Sequence, residues 1–450
     1  MPRAAMSAAE RVLPDQTLII DNGAYTMKAG FAVPSPSSED CHTIPNCIAR
    51  DRGRRVWIGA QLEKCNDFGE ITFRRPVEKG FLVNWEVEKA IWDNTFIDNG
   101  AKLACDPQAT NLLLTEAPNT PAALQRNCDE IVFEEYEFAS YSRFLSPSLN
   151  AYNDIQSLYG VTHRDPSIHA LPAECLLVID SGFSHSTVTP LFNGRPIHQA
   201  IRRLDIGGKF LTNYLKELVS IRHYNMLDET YLINEVKESI CYVSEDFKRD
   251  LERTWKGTSA NRKKSRDGER DIVVDYVLPD YNAHKQGFMR PHDPSLIAKM
   301  RKMGSLSGSG DAVEDCMTLA NERFTVPELL FSPGDLGMKQ DGLPGTVLQS
   351  LSGLPPGLWP SMLANILVVG GNSKIEGFMT RLETEIRQLA PAECVVRIAR
   401  ASDPIKSPWL GGAHLAADHT ALKAIQITRQ EYQEHGSGWL GKVFSGSVPR

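Results

Sequence analysis

The sequence predicts an α/β fold made of two similar halves, with helices covering the sheets. An apolar run followed by Asp and Gly occurs in LIIDNGAY (residues 18–25) and again in LLVIDSGFSHSTV (residues 176–188). A third apolar run, in NILVVGGNSKIEGF (residues 365–378), also ends in a glycine turn, and an amphipathic segment follows it. Glycine turns at the ends of strands that alternate with helices are typical of this class, and the repeat of the first pattern indicates two related halves.

Length and composition exclude several classes of protein. A chain of 450 residues is too long for one simple core, so two or three domains are expected. With 42% hydrophobic and 23% charged residues the composition is that of a soluble globular protein, and no apolar run approaches the roughly 20 residues of a membrane span. Nine cysteines without a CxxC pair indicate reduced thiols rather than a zinc site or a disulfide framework. The net charge of −7 argues against a protein that is basic throughout.

The first and last of the three segments give local predictions. The run LII (residues 18–20) indicates a buried strand, and Asn22 and Gly23 then read as the tip of a tight hairpin turn, in which both central residues need positive φ. An Asp at a strand end before a glycine turn often receives phosphate and a metal ion. The alternative is that these residues serve turn geometry alone. In FMTRLETEIRQL, helical spacing puts four apolar residues on one face: Phe378, Leu382, Ile386 and Leu389.

One region differs in charge from the rest. Residues 253–310 contain 12 Lys/Arg against 6 Asp/Glu, include NRKKSRDGER and end in GSLSGSG. This composition indicates a charged loop and a flexible linker, interrupted by a strand end at YVLPD. One interpretation is a solvated insertion. The other is a surface that contacts a partner or nucleic acid phosphates through Arg262, Lys263 and Lys264. Nearby, Phe288 and Met289 could anchor in a partner's pocket or hold the loop down.

Many segments, in order, resemble the actin family. DNGAYTMKAGF (residues 21–31) is similar to the first phosphate hairpin of actin. Further similar segments lie at residues 76–96, 112–121, 204–215, 236–247, 321–331, 368–373, 408–412 and 427–436. The resemblance covers about residues 17–440. Within the family, features such as IVFEEYEF (residues 131–138) and KQGFMRP (residues 285–291) are most similar to a nuclear class of actin-related proteins.

The resemblance implies an actin-like ATPase fold, with two similar halves around a central nucleotide cleft and insertions in the second small lobe. Residues 1–16 are then a disordered lead and 441–450 a tail. The first large lobe comprises residues 17–41, 76–160 and 405–440, and the first small lobe residues 42–75. The second large lobe comprises residues 161–206 and 339–404. The second small lobe spans residues 207–338, with basic insertions at about 253–271 and 281–320.

The resemblance also implies which residues line the cleft. Matches to nucleotide-binding positions of actin are Asp21, Asn22, Gly23, Lys28, Asp180, Ser181, Gly182, Gly208, Lys237, Glu238, Gly370 and Gly371. The departures lie at the phosphate end, where Ala24 replaces a serine, Tyr25 a glycine, Phe183 an aspartate and Ser184 a glycine. On the adenosine side, Ile375 and Ile405 replace an aromatic residue and a lysine. The cleft is therefore expected to be degenerate, with ATP or ADP bound without turnover, if at all.

ATP hydrolysis is not expected, because it depends on positioning and electrostatics around the attacking water. Thr187 replaces the histidine that orders this water in actin, and His185 lies two residues earlier. Actin's water-positioning glutamine aligns near Asn153, with Gln156 close by. No catalytic residue and no metal ligand is therefore assigned. The competing hypothesis is an actin-like ATPase with Asp21 and Asp180 around a magnesium ion.

The implied function is that of a non-catalytic structural subunit in a nuclear chromatin remodeller of the Swr type, which exchanges a variant core histone into nucleosomes. The implied partners are the motor subunit, a small zinc-bearing subunit and, indirectly, the nucleosome or its histones, with possible DNA contact through the basic insertions. The nucleus is the expected location, with the cytoplasm as a second one. A filament-forming actin is the third hypothesis. The segment IARDRGRRVWIG (residues 48–59) disfavours it, because four arginines oppose burial in a dry self-contact.

Overall fold

A computed structural model describes residues 13–69, 71–160, 172–256, 271–279, 286–293 and 315–446. In this part of the chain twenty strands form, and in chain order they are β1 (Gln16–Asn22), β2 (Thr26–Phe31), β3 (His42–Pro45), β4 (Ile48–Arg50), β5 (Val56–Ile58), β6 (Thr72–Arg74), β7 (Val77–Glu78), β8 (Phe81–Leu82), β9 (Thr110–Glu116), β10 (Ser140–Leu145), β11 (Cys175–Ser181), β12 (Ser186–Phe192), β13 (Arg195–Pro196), β14 (Arg202–Leu204), β15 (Val274–Val277), β16 (Phe288–Pro291), β17 (Cys316–Leu319), β18 (Ile366–Val369), β19 (Ile398–Arg400) and β20 (Ile427–Thr428).

The α-helices within the same ranges are α1 (Trp85–Trp92), α2 (Ala122–Glu130), α3 (Ser146–Leu149), α4 (Gly208–Arg222), α5 (Thr230–Ile240), α6 (Phe247–Lys256), α7 (Glu322–Glu328), α8 (Leu343–Ser352), α9 (Trp359–Leu363), α10 (Phe378–Leu389), α11 (Ser407–Ala417), α12 (His419–Ile425), α13 (Arg429–His435) and α14 (Ser437–Phe444).

The first half is built on a six-stranded sheet in the order β20-β10-β9-β1-β2-β3. Strand β1 is antiparallel to β2 and parallel to β9, which is itself parallel to β10. The predicted strand at LII is confirmed, and Leu18, Ile19 and Ile20 are fully buried. A strand that is apolar at consecutive positions can bury both faces only when helices cover both sides of its sheet. Here α1 and α14 contribute to the core on one face and α11 to the core on the other.

The second half repeats this arrangement. Its main sheet has the order β13-β12-β11-β18-β19, and β14 pairs with β12. Strand β11 is antiparallel to β12 and parallel to β18, just as β1 is to β2 and β9. Each half therefore presents an antiparallel hairpin beside a parallel strand. This topology confirms the predicted α/β fold of two similar halves.

Two three-stranded sheets lie outside the main sheets, in the orders β5-β4-β6 and β16-β15-β17. Phe288 and Met289 lie on strand β16 and are 40% and 46% exposed. They are therefore part of a sheet, rather than of the charged loop in which the sequence analysis placed them. Arg262, Lys263 and Lys264 lie outside the described residues, as do the Gly/Ser linker (residues 304–310) and residues 1–12.

Helix α10 forms at the predicted segment, and Phe378, Leu382 and Ile386 are buried as expected. Leu389 shares their helical face, as predicted, but is 48% exposed. The helix ends at Leu389 and Ala390 is already extended, which leaves the last side chain beyond the core. None of the helices in the described ranges is long and apolar enough to cross a membrane. All nine cysteines are free thiols.

Candidate functional site: the cleft between two hairpins

The first hairpin turns through Gly23, Ala24 and Tyr25, not through Asn22 and Gly23. Asn22 is the last residue of β1 and pairs with Met27, and neither Asn22 nor Gly23 has positive φ. The prediction of a tight Asn-Gly turn was therefore wrong. Gly23 is required for a different reason: a Cβ atom there would lie 2.6 Å from the Thr26 carbonyl oxygen and 2.8 Å from Lys28 Nζ. The three-residue loop folds back on the strand and leaves no room for a side chain.

Asp21 is buried and fully satisfied by its own half of the molecule. Its Oδ2 atom lies 2.6 Å from the Nζ atom of Lys28. Lys28 is the residue directly opposite Asp21 on the neighbouring strand of the hairpin. Its Oδ1 atom accepts hydrogen bonds from Thr115 Oγ1 and Ser146 Oγ, each at 2.8 Å. An ion pair with two further donors is the arrangement that makes burial of a carboxylate tolerable.

Asn22 joins the hairpin to helix α1. Its Nδ2 group donates to Glu88 Oε1 at 2.8 Å, and its Oδ1 atom accepts from Asn46 Nδ2 at 2.9 Å. Glu88 is fully buried and also accepts from Trp92 Nε1, again on Oε1. Its second oxygen, Oε2, has no hydrogen-bond partner among the described residues. Burial raises the pKa of Glu88 to about 7, against the effect of these hydrogen bonds.

The second hairpin is bonded to the start of α4. Ser181 and Ser186 pair across it with their hydroxyl oxygens 2.9 Å apart, and Asn372 Nδ2 donates to Ser181 Oγ and to the Gly182 carbonyl. The Gly208 backbone N–H donates to the Gly182 carbonyl at 3.0 Å, and the next N–H of the helix donates to the Phe183 carbonyl. Donors at a helix N-terminus that could serve an anion are thereby used by the protein's own backbone.

Asp180 differs from Asp21 in having no hydrogen bond to its carboxylate from the described residues. It ends β11, and its Oδ1 atom lies 2.8 Å from where a Cβ atom of Gly370 would stand. Burial raises the pKa of Asp180 to about 6, and the nearby charge of Asp21 raises it further, while Lys28 opposes the shift. Among the described residues, hydrogen-bond donors therefore surround the carboxylate of Asp21 but not that of Asp180.

Aromatic rings fill the space between the two hairpin tips. The Tyr25 and Phe183 ring centroids are 4.8 Å apart, at an interplanar angle of 41°. The Arg75 guanidinium lies 4.7 Å from the Tyr25 centroid and 5.2 Å from that of Phe183, and its Nη1 donates to the Tyr25 carbonyl at 3.1 Å. Cation–π and aromatic contacts thus join the hairpins where the resemblance implies nucleotide phosphates.

The hydroxyl end of Tyr25 reaches helix α5 of the second half. Asn234 Nδ2 lies 3.5 Å from Tyr25 Oη and donates to Glu238 Oε1 at 2.8 Å. Burial and the charge of Glu238 raise the pKa of Tyr25 to about 12. Lys237 is buried beside this group, and its Nζ donates to Asn234 Oδ1 at 2.9 Å, to Thr212 Oγ1 at 3.0 Å and to the Gly208 carbonyl. Burial lowers the pKa of Lys237.

The glycines on the adenosine side differ from one another. Gly370 has φ +90°, and a Cβ atom there would lie 2.3 Å from the Ser181 carbonyl oxygen, so only glycine fits. Gly371 has no atom within 4 Å of its Cβ position and faces open space. At Gly208 a Cβ atom would meet Asn372 Oδ1 at 3.4 Å and Lys237 Nζ at 3.6 Å, which is ordinary contact. The structure thus brings the predicted residues of the second half together around Gly208.

The residues considered for a water-positioning role lie elsewhere. His185, two residues before Thr187, lies in the loop before β12, where its ring would clash with a Cβ atom on Gly80. Burial, followed by the charge of Arg203, lowers the pKa of His185 to about 4. Asn153 donates to Ser407 of α11, so its amide is used there.

Sequence reasoning missed the residues that complete the site. Ser146 is the residue that reaches Asp21 from the chain after β10, and Thr115 and Arg75 were not singled out at all. No motif marks them, because each lies at or next to the end of a strand, and the hydrogen bonds that join them to Asp21 or Tyr25 link residues at least 50 positions apart in the sequence.

A further contact joins helix α5 to the segments around the sheet β5-β4-β6, which are the parts of the chain predicted to form the two small lobes. Tyr231, near the start of α5, stacks on Phe68 with centroids 4.0 Å apart and an interplanar angle of 7°, and its ring is 6.3 Å from that of Phe73. It packs against the small core of the first small lobe, which includes Trp57 and Leu62. A side chain of the second half therefore extends the core of the first.

The chemical capacity of the cleft follows from these contacts. Within the described ranges no group of three or more His, Cys, Asp or Glu residues could hold a metal ion. The His185 ring packs against Gly80, and burial lowers its pKa to about 4. Among the described residues, the second hairpin offers the Asp180 carboxylate, whose pKa burial raises to about 6, and an open surface at Gly371.

Comparison with known proteins gives the same family throughout. The family model described as Actin matches residues 12–445. An "Actin-like protein arp6" of Aspergillus fumigatus is 57% identical over 461 aligned positions, covering 98% of both chains. An "Actin-related protein 6" of Neurospora crassa is 52% identical, covering 98% of this chain and 97% of its own.

The similarity extends to a distant organism. An "Actin-related protein 6" of Drosophila melanogaster is 34% identical over 427 positions, covering 94% of this chain and 98% of its own. The narrower resemblance noted in the sequence was to this same class. The chain belongs to the actin family, and the relatives that it matches over almost its whole length carry the name actin-related protein 6.

Proposed function

We propose that this protein is a non-catalytic structural subunit of a nuclear chromatin-remodelling complex of the Swr type, which exchanges a variant core histone into nucleosomes. Its partners in this proposal are the motor subunit and a small zinc-bearing subunit, and it contacts the nucleosome within the complex. The basis for the assembly is the resemblance to the nuclear class of actin-related proteins, together with near-full-length relatives of that class.

The observation that carries the non-catalytic part is the contact between the hairpin tips. Two rings with centroids 4.8 Å apart, and a guanidinium beside them, occupy the place where phosphates would have to enter. A triphosphate needs backbone N–H groups that approach it closely, and the first N–H groups of α4 are bonded to Gly182 and Phe183. These contacts support a phosphate end of the cleft that serves the scaffold rather than a nucleotide.

A nucleotide bound without turnover is the second candidate, and one observation favours it. Gly371 faces open space on the adenosine side, and the Asp180 carboxylate has no internal partner within the described ranges. A nucleotide would then require the Tyr25 and Phe183 rings to separate. This candidate retains the scaffold role, because the His185 ring packs against Gly80 and the Asn153 amide donates to Ser407.

The experiment is an affinity purification of the tagged full-length protein from nuclear extract. One half of the eluate is analysed by mass spectrometry for partners, and the other is denatured and analysed for released nucleotide. Conventional actin, tagged and purified in the same way, is the matched control, because it should release nucleotide under identical handling.

Remodeller subunits in stoichiometric amounts, with nucleotide far below one per protein, are the expected result. One nucleotide per protein together with the same subunits would favour the second candidate. A protein that elutes alone and carries ADP would overturn the proposal and favour an ATPase.

A further inference from the structure

We propose that an exposed arginine face on the first small lobe binds the phosphate backbone of duplex DNA. The arginine face comprises Arg50, Arg52, Arg54, Arg55 and Arg74. This inference rests on the proposed function, which puts the chain in an assembly that acts on nucleosomes. It concerns a surface remote in sequence from the basic insertions, and it is argued from described residues only.

Two of these residues, Arg50 and Arg74, lie on one face of the sheet β5-β4-β6. Ala49 and Trp57 are buried in the small core of this lobe, so Arg50 and Val56, which adjoin them along the strands, point to the opposite face. Arg50 pairs with Val56 on one side and with Thr72 on the other, and Arg74 lies two positions further along β6. Residues in such a diagonal relation on one face are about 7–8 Å apart at their Cα atoms. Arg50 and Arg74 therefore lie side by side on the outer surface.

The loop between β4 and β5 extends the arginine face from the sheet. Arg52, Arg54 and Arg55 are exposed, and Arg54 has φ +64°. The acid of this loop, Asp51, is used to hold it: its Oδ1 accepts from the Arg55 backbone N–H at 2.8 Å, and its Oδ2 accepts from Trp57 Nε1 at 3.1 Å. The Arg55 guanidinium lies over the Trp57 ring at 4.0 Å. The loop is thus held in one shape by contacts that leave its other arginines at the surface.

The net charge of this lobe is positive, whereas that of the whole chain is negative. Residues 42–75 contain seven Lys/Arg against four Asp/Glu, in a chain with a net charge of −7. Arg74 makes an ion pair with Glu86 at 3.4 Å, but the two side chains are 62% and 80% exposed. An exposed pair of this kind contributes little and exchanges easily for another anion.

The choice of arginine over lysine favours phosphate as the ligand. Six of the seven cationic residues in this lobe are arginines. The planar guanidinium binds phosphate or carboxylate oxygens in a bidentate manner, whereas lysine offers a point charge. Duplex DNA presents about one negative charge per 1.7 Å of its axis, so a row of cations on a flat surface can contact several phosphates at once. We commit to DNA, and an acidic protein becomes an outcome of the test.

The experiment measures binding of a fluorescent 20-base-pair duplex to the purified full-length protein, by anisotropy at several salt concentrations. The test variant carries Arg50→Gln, Arg54→Gln and Arg74→Gln, which preserves polar side chains and leaves Asp51, Arg55 and Trp57 in place. The matched control carries Lys102→Gln, Lys339→Gln and Lys374→Gln, which removes the same charge from exposed positions elsewhere. Circular dichroism and thermal unfolding of all three proteins check that each is folded.

The test variant should bind at least about tenfold more weakly at low salt, and its plot of log K against log[salt] should be shallower by roughly 2–3, because each lost phosphate contact removes about 0.9 from the slope. The control variant should bind like the wild type. Equal weakening in both variants, or no weakening in the test variant, would overturn the inference. So would binding of polyglutamate, or an absence of DNA binding by the wild type.

Purification of the test variant from nuclear extract separates this inference from the proposed function. The same subunits should be recovered with it as with the wild type, since the arginine face is proposed to contact DNA and not them. Loss of those subunits would contradict the assignment of the face to DNA, whereas failure of the wild-type protein to recover them would contradict the proposed function.

Discussion

The two hairpins that face each other across the cleft differ in how their aspartates are satisfied. Asp21 has a lysine at 2.6 Å and two hydroxyl donors at 2.8 Å, all from the first half. Asp180 has no hydrogen bond from the described residues, and both its burial and the charge of Asp21 raise its pKa to about 6. The hairpins have the same topology, so this difference comes from side chains alone.

The comparison indicates which of the two carboxylates the protein compensates with its own donors. A carboxylate with three internal partners serves folding, because its charge is already compensated. A carboxylate without partners costs stability and is retained only if something else uses it, or if it is protonated. The tips of the same hairpins meet through Tyr25 and Phe183, which join the halves without a ligand.

The largest effect is expected from matched substitutions of the two aspartates. Asp21→Asn should lower the free energy of unfolding by about 3 kcal/mol, because it leaves Lys28 buried without its counter-charge. Asp180→Asn should change it by less than about 1 kcal/mol, or raise it slightly at pH 8, because the charge it removes is poorly compensated. Urea unfolding of both variants measures the difference. Equal losses in the two variants would contradict the comparison.

A smaller effect is expected from substitution of Tyr231. Tyr231→Ala should lower the free energy of unfolding by about 2 kcal/mol, because it removes a half-buried ring that stacks on Phe68. It should also increase hydrogen exchange in β4 to β6, since the first small lobe loses its contact with α5. Tyr231→Phe is the control and should leave both quantities unchanged. If the alanine variant exchanges like the wild type, Tyr231 does not hold the two small lobes together.

The pH dependence of the free energy of unfolding should reveal whether the Glu88 side chain is protonated in the folded protein. Its folded-state pKa of about 7 lies above the ordinary value of 4.5, so the folded protein binds the proton more tightly than the unfolded chain. This contribution to stability is fully present below about pH 4.5 and is lost as the pH rises through 7. Glu88→Gln cannot ionise and should be more stable than the wild type by about 1–2 kcal/mol at pH 8, with the difference shrinking towards pH 5. A difference that does not vary with pH would show that Glu88 carries its charge at both values.

The smallest effect is expected from added nucleotide. A ligand at 100 times its Kd would raise the free energy of unfolding by about 2.7 kcal/mol. Because the Tyr25 and Phe183 rings join the two hairpin tips, about 1 mM MgATP should leave the melting temperature unchanged. Conventional actin in the same assay should be stabilised. A clear rise in the melting temperature of this protein would mean that Tyr25 and Phe183 separate to admit the nucleotide.

The fold could be predicted from the sequence because it depends on patterns of apolar residues and glycines within single segments. The buried strand at LII, its repeat before Asp180 and the helix at residues 378–389 all follow from apolar periodicity and glycine positions. The predictions were less accurate at the ends of helices and strands, where the apolar pattern stops. Leu389 fits the helical face but lies beyond the core, and the Asn22-Gly23 dipeptide suggested a turn that the register of β1 and β2 places one residue later.

The site was predicted only in part, for a related reason. Substitutions at Tyr25 and Phe183 were visible in the sequence, but their contact with each other was not, since 158 residues separate them in the chain. Arg75 carries no motif, and its role follows from β6 ending beside the first hairpin. His185 had a plausible spacing but turned to Gly80.

By itself, the sequence determined the two-half α/β fold, the aspartates at the strand ends and the charges of the arginine face, because each depends on residue type and spacing within one segment. Only the tertiary structure decided that Asp21 is satisfied and Asp180 is not, that Tyr25 meets Phe183 and Arg75, and that Tyr231 enters the core of the opposite lobe. The physical reason is that hydrogen bonds, ring contacts and burial depend on distances between segments far apart in the chain, and these are fixed only when the halves pack together.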